Sequence, residues 1–133
     1  MPIEHTIDRE KRLVTAALRG VVTYDELAEY ERRVWSSPEV AGFDELVDMS
    51  RATDIEDDTV NNVERLASLA ARLDAARGPS RLAIFAASDL HFGMGRMYKA
   101  LREGRPGAVR TVEVFRDRGD AERWLSSDSS VPE

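Results

Sequence analysis

Cysteine is absent from the 133 residues of the chain. Disulfide bonds, thiol catalysis and thiolate metal sites are therefore excluded, and cysteine usage says nothing about the cellular compartment. Histidine is almost as scarce, because His5 and His91 are the only two and neither takes part in an HxxxH or HExxH spacing. No glycine elbow frames a serine nucleophile either. We therefore predict no catalytic residues, no bound metal and no cofactor.

Long apolar runs and an excess of positive charge are also missing. No stretch approaches the roughly eighteen apolar residues that span a membrane, and the opening segment 1–11 lacks the apolar core of a secretory signal. The 19 Lys and Arg are outnumbered by 25 Asp and Glu, which gives a net charge of −6. Since affinity for nucleic acid depends on clustered basic residues, nucleic acid is not expected as a partner. These absences predict a cytoplasmic protein without stable membrane insertion.

What the chain does contain is typical of one globular domain. Hydrophobic residues make up 42% and charged residues 33% of the sequence, and this length suits a single hydrophobic core. The last residues are polar and carry no periodic pattern. We therefore predict a single domain over residues 1–133, with an ordered core of about 3–126 and a flexible tail at 127–133.

The first half of the chain predicts a β-hairpin, a helix and a buried strand. Alternating apolar residues from Ile3 to Arg19 fit two half-buried strands, and Gly20 is expected to end the second. The sequence at 23–26, TYDE, is a capping box that begins the first helix. The apolar run from Phe43 to Met49 predicts a short strand, and Arg51 to Asp58 predict a polar, acidic loop after it.

The second half of the chain alternates helices with strands. Helix caps are predicted where a short polar side chain precedes an amphipathic stretch: at Thr59 or one of the acids before it, at Ser88 or Asp89, and at Asp117. Strands are predicted at 81–87 and 109–115, and the first of these is apolar almost without alternation, as in a central strand covered on both faces. The order ββαβαβαβα indicates an α/β fold with about four helices and a mixed sheet of about five strands. Its N-terminal hairpin forms an antiparallel edge, and its core is mostly parallel.

This order and four segments of the sequence resemble the SpoIIAA-like family. The segments are GVVTYDE at 20–26, FDELVDMSRATDI at 43–55, RLAIFAA at 81–87 and VEVFRDRGDAERWL at 112–125. The resemblance covers residues 3–125 and implies a STAS-like fold, akin to CRAL-TRIO lipid-binding domains. It also implies a tendency to form homodimers and, for the family at large, no established biochemical activity.

One departure from the STAS group concerns the start of the second predicted helix. Anti-sigma-factor antagonists of that group carry a phosphorylated serine there, within an Asp-Ser-Ser-Gly sequence, whereas this chain has Glu56, Asp57, Asp58 and Thr59. Negative charge at a helix N-terminus is favourable, so these carboxylates resemble a permanent, weaker phosphate. We predict that the four residues form a surface for a regulatory protein partner. A phospho-switch that uses Asp57, Asp58 or Thr59 is an alternative, although capping is the simpler role for Thr59.

The acidic residues also permit a metal-site hypothesis. Asp48, Asp54, Asp57 and Asp58 carry the oxygen ligands that Mg²⁺ and Ca²⁺ prefer. Their spacing matches no calcium-binding loop, and the glycine that such a loop requires is missing. A solvated acidic surface is therefore expected, and a metal-dependent enzyme is the less favoured alternative.

The third predicted helix carries large apolar side chains over a wide arc, with two glycines near its start. Such a helix can form plain core, the seam of a dimer or the cover of a cavity. We predict that Phe92, Met94, Met97 and Tyr98 line a site for a small apolar, lipid-like ligand. The sequence therefore favours a non-enzymatic binding or regulatory domain, which acts on a protein partner, on a second copy of itself or on an apolar small molecule.

Overall fold

The chain forms a five-stranded sheet covered by helices. The structure is a computed structural model that describes residues 2–56, 59–105 and 109–127, except the side chains of 75–77. The strands are β1 (Ile3–Asp8), β2 (Leu13–Thr23), β3 (Asp44–Glu56), β4 (Ser80–Phe85) and β5 (Arg110–Phe115). The helices are α1 (Tyr24–Trp35), α2 (Val60–Arg77), α3 (Asp89–Glu103) and α4 (Arg118–Ser126), with a short 3-10 helix at Pro38–Val40. Asp57, Asp58 and the predicted tail beyond Ser127 lie outside the described residues.

The strands lie side by side in the order in which they occur along the chain, β1-β2-β3-β4-β5. β1 pairs with β2 in the antiparallel direction, and the three other pairs are parallel. This confirms the predicted mixed sheet, in which an N-terminal hairpin edges a parallel core and crossover helices join the parallel strands.

The two faces of the sheet are covered by different helices. On one face, α1 packs over buried β2 residues such as Val14 and Leu18, and α2 and α3 lie beside it. On the other face, Ala121 of α4 packs against Leu46 and Ala83. Since successive side chains of a strand point to opposite faces, the β3 neighbours of Leu46 point toward the three-helix side. That side contains the candidate site.

Each described α-helix begins directly after a residue that was predicted as a possible cap. The Thr23 hydroxyl accepts a hydrogen bond from the Glu26 amide at 3.1 Å, and the Glu26 carboxylate accepts one from the Thr23 amide at 2.9 Å, which completes the capping box. The other caps accept from the amide three residues on, and they are Thr59, Ser88 and Asp117. β4 ends at Phe85 rather than at Ala87, because the next residues already lead into the cap of α3.

Two further predicted boundaries are wrong, and backbone pairing explains both. β2 does not end at Gly20 but continues to Thr23, because Gly20 adopts a φ of +65° while the pairing with β3 shifts register beside it. The predicted loop at 51–58 is strand as far as Glu56, because this segment pairs with 19–23 of β2. Among the described residues 51–56, Ile55 alone is fully buried. Backbone hydrogen bonds therefore hold a strand that the apolar pattern does not reveal.

We expect Gly20→Ala to lower the free energy of unfolding by about 1 kcal/mol, because alanine is strained at the positive φ that glycine adopts freely. Gly93→Ala is a matched control in α3, where an added Cβ meets no atom within 4 Å. There the better helix propensity of alanine should raise the free energy of unfolding by up to about 1 kcal/mol. Urea denaturation measures both changes, and a Gly20→Ala protein as stable as the wild type would contradict the expectation.

Candidate functional site: an apolar cavity with a buried polar wall

A cavity of about 100 Å³, open to solvent on one side, lies between the sheet and the helices α1 and α3, with α2 at its edge. Most of its wall is apolar, formed by Leu18, Leu27, Val47, Met49, Ile55, Leu66, Leu82, Ile84 and Met94. Gly95 lies in the wall where α3 crosses the sheet, and a Cβ there would come within 3.0 Å of Val114 Cγ1. A mostly apolar cavity with a few polar groups in its wall is typical of a small-molecule site.

A surface groove of about 240 Å³ runs between α1 and α2 beside the cavity. Tyr24 and Leu66 belong to the walls of both spaces, so these two side chains stand between the groove and the cavity. The charged residues of the groove are Asp25, Arg32, Glu64, Arg65 and Arg72. The molecule thus has a mostly apolar cavity that adjoins a charged groove.

Glu45 of β3 forms the centre of a polar wall inside the cavity. Its carboxylate is buried and accepts hydrogen bonds from Tyr30 Oη at 2.7 Å and from Arg110 Nη1 at 2.5 Å. Trp35 Nε1 donates to Tyr30 Oη at 3.2 Å, and the Arg110 guanidinium lies 4.3 Å from the centre of the Trp35 ring. A buried charge is tolerated when it is paired and its hydrogen bonds are satisfied, as here.

Tyr98 of α3 places a second polar group, its hydroxyl, in the cavity wall. Its hydroxyl accepts a hydrogen bond from Arg102 Nε at 3.2 Å. Arg102 in turn donates two hydrogen bonds to the Asp74 carboxylate, at 2.9 and 3.0 Å, and both side chains of this pair are fully buried. The bidentate pair joins α2 to α3, and it fixes the Tyr98 hydroxyl at the cavity wall.

Glu31 of α1 is 8% exposed and lines the same cavity. Burial raises the pKa of Tyr30 well above its ordinary value, and the charges of Glu45 and Glu31 raise it further. Burial also raises the pKa of Tyr98, again with a contribution from Glu31. Both phenols therefore stay protonated at neutral pH and keep their hydroxyl protons for hydrogen bonding.

The arrangement does not resemble a metal centre. Within residues 2–56, 59–105 and 109–127, no three histidine or acidic side chains are grouped closely enough to hold a metal ion. His5 lies in β1, with its ring 6.2 Å from the Tyr30 ring, whereas His91 is buried in α3. Neither histidine belongs to the cavity wall.

The four residues predicted to line a ligand site are divided by the structure. Met94 and Tyr98 lie in the cavity wall, whereas Phe92 and Met97 do not. Phe92 lies instead under the guanidinium of Arg116, 4.3 Å from the centre of its ring. The phase of the helix explains the division, because positions 94 and 98 share a face that position 92 does not. Ligand contact by any of the four stays a prediction.

The predicted acidic surface is described only at its two ends. Glu56 is exposed at the end of β3, and Thr59 is exposed at the start of α2. The Thr59 hydroxyl accepts a hydrogen bond from the Asn62 amide at 3.2 Å, so its capping role is confirmed. Asp57 and Asp58 lie outside the described residues. A partner-binding role for this surface stays a prediction, as does the phospho-switch.

The buried polar residues Glu45, Arg102 and Arg110 were not predicted from the sequence. The position of Glu45 could have been recognised from the sequence. In an extended segment it shares one face with the apolar residues Phe43 and Val47, so a buried position is expected for it. A charged residue at a buried strand position requires a partner. Its partner Arg110 is 65 residues away, and nothing in the local sequence points to it.

No family model and no curated protein sequence matches the chain. Among solved structures, the chain is similar to the crystal structure of an uncharacterized protein of the DUF3478 family from Shewanella loihica PV-4, which has a SpoIIAA-like fold. The TM-score is 0.57, and the match covers 92% of this chain and 93% of the other. The protein has a SpoIIAA-like fold. The two sequences are 17% identical, so the similarity concerns the fold.

The SpoIIAA-like fold confirms the resemblance drawn from the sequence, including the order ββαβαβαβα. Among the described helices, none is both long enough and apolar enough to cross a membrane.

We expect Arg102→Met to lower the free energy of unfolding by about 3–5 kcal/mol, because it leaves the Asp74 carboxylate buried without its guanidinium partner. The double variant Arg102→Met with Asp74→Leu should recover most of that loss, since both charges are then removed. Arg9→Met is the matched control, because the ion pair of Arg9 with Glu39 is exposed and should contribute less than about 1 kcal/mol. Chemical denaturation of the four proteins gives the comparison, and equal losses for Arg102→Met and Arg9→Met would contradict it.

Proposed function

We propose that the protein is a non-enzymatic binding domain whose ligand is a small molecule with an apolar body, held in the cavity between the sheet and the helices α1, α2 and α3. The observation that carries the proposal is the cavity itself, whose wall is mostly apolar and contains a few fixed polar groups. A binding site of this composition gains affinity from the burial of apolar ligand surface, while its polar groups set the orientation of the ligand.

The size of the cavity limits the class of ligand. About 15 Å³ of such space accepts one water molecule, so 100 Å³ has room for a chain or a ring of several heavy atoms. A short alkyl chain or a single ring fits this description, whereas a whole phospholipid does not. Met49 and Met94 in the wall are flexible side chains, which can adjust to the shape of such a group.

The state of the polar groups favours binding over catalysis. Glu45 is held by Arg110 and Tyr30, and Tyr98 is held by Arg102. The raised pKa of each phenol leaves it a poor base at neutral pH. A general base needs a pKa near the working pH and a free position beside the substrate. Neither tyrosine has a pKa near neutral pH.

We expect Met94→Phe to weaken the binding of 1-octanol, an uncharged C8 probe, at least tenfold, because the larger side chain takes up part of the cavity. Met97→Phe is the matched control, since the same substitution three residues along α3 falls outside the cavity wall. Isothermal titration calorimetry measures both affinities, and native mass spectrometry of the freshly purified protein reports any bound small molecule. No binding of octanol by the wild type, or equal weakening by the two variants, would contradict the proposed function.

A further inference from the structure

We propose that the ligand is an amphiphile with an anionic head group, whose apolar tail enters the cavity while its head is held in the groove between α1 and α2 by Arg32, Arg65 and Arg72. This inference rests on the proposed function and adds the chemical class and the orientation of the ligand. It follows from the continuity of the two spaces, from the arginines of the groove and from the lack of a cation among the described residues that line the cavity.

The first observation is the contact between the two spaces. Tyr24 and Leu66 line both the groove and the cavity, so a molecule that passes between them has one end in each. Leu66 is partly exposed, and it lines the groove together with Arg65 and Arg72 of the same helix. A ligand tail next to Leu66 therefore places its head group within the part of the groove that contains the arginines.

The second observation is the balance of charge in the groove. Arg65 and Arg72 are two helical turns apart on α2, and Arg32 faces them from α1. Among the described residues, these three guanidinium groups form no ion pair, whereas the groove carboxylate of Glu64 lies 3.7 Å from Arg105 Nη2. Asp25 is the remaining acidic residue of the groove. The groove thus offers a local excess of positive charge, and guanidinium groups bind carboxylates and phosphates through paired hydrogen bonds.

The third observation is the lack of a cation in the cavity wall. The described residues that line the cavity include the buried side chains of Glu31 and Glu45 but no lysine or arginine. An anion that leaves water without gaining a cationic partner loses much of its hydration free energy. An anionic amphiphile that entered head first would place its charge against this wall, whereas entry by the tail leaves the head beside the arginines. The two walls together therefore fix one orientation.

The overall charge of the protein makes the inference testable. A chain with a net charge of −6 repels anions in general, so any preference for an anionic ligand must come from a local cluster of cations. Four probes with the same C8 tail isolate the effect of the head group, and they are octanol, octanoate, octyl phosphate and octylamine. Titration calorimetry at low salt should show octanoate or octyl phosphate binding at least tenfold more tightly than octanol, and octylamine more weakly than octanol.

The triple variant Arg32→Gln, Arg65→Gln and Arg72→Gln should abolish the preference for anions and leave the affinity for octanol within about twofold of the wild type. The matched control replaces three exposed arginines outside the groove, Arg9, Arg33 and Arg96, with glutamine. Each variant removes three positive charges, which changes the net charge from −6 to −9, so a general charge effect would appear in both. Inorganic phosphate alone should bind far more weakly than octyl phosphate, because the tail supplies most of the affinity.

The affinities of the four probes identify the head group. Tighter binding of octanoate than of octyl phosphate indicates a carboxylate ligand, and tighter binding of octyl phosphate indicates a phosphate ligand. Equal affinities for octanol and both anions, or tighter binding of octylamine, would overturn the head-group assignment while the proposed function stands. Anion binding that survives Met94→Phe would overturn the entry of the tail into the cavity. Failure of the wild type to bind octanol would overturn the proposed function itself, on which this inference rests.

Discussion

The ion pair between Glu45 and Arg110 joins the centre of the sheet to its edge. Glu45 lies on β3 and Arg110 on β5, so the pair reaches across β4, where Arg110 Nε also donates to Ser80 Oγ at 2.8 Å. Arg110 Nη2 donates to the Phe43 carbonyl at 3.0 Å, and Tyr30 brings α1 to the same carboxylate. A buried ion pair adds little stability by itself, because desolvation offsets the attraction. Its effect here is to fix the relative positions of three strands and one helix.

These fixed positions explain how a cavity can persist in a small domain. Apolar side chains tend to fill interior space, but Tyr30 and Glu45 are held in place by hydrogen bonds and Tyr98 by Arg102. Gly95 allows α3 to approach the sheet closely, since a Cβ at this position would come within 3.0 Å of Val114 Cγ1 and 3.5 Å of Ile84 Cγ2. The space between these anchored groups is bounded by flexible apolar residues such as Met49 and Met94. The proposed binding function depends on this combination of a fixed polar wall and an adaptable apolar one.

The sequence predicted those features that depend on residues close together along the chain. The capping box at Thr23 and Glu26 needs three residues of separation, and the order of helices and strands follows from local apolar periodicity. The extension of β3 to Glu56 could not be predicted in this way, because it depends on backbone pairing with β2 and buries little beyond Ile55. The candidate site could be predicted even less, because it depends on residues that are far apart along the chain. Its ion pair joins residues 45 and 110, and its lining depends on which face of α3 turns to the sheet.

The central claim is that the space between α1, α2, α3 and the sheet is an apolar cavity that accepts a ligand. A crystal of the protein pressurised with xenon tests it most directly, because xenon enters dry apolar cavities and is located by its anomalous scattering. The account predicts xenon in van der Waals contact with Val47, Ile84 and Met94, within the polar wall formed by Tyr30 and Glu45. A space filled by ordered water molecules, or closed by the side chain of Met94 so that no xenon enters, would contradict it.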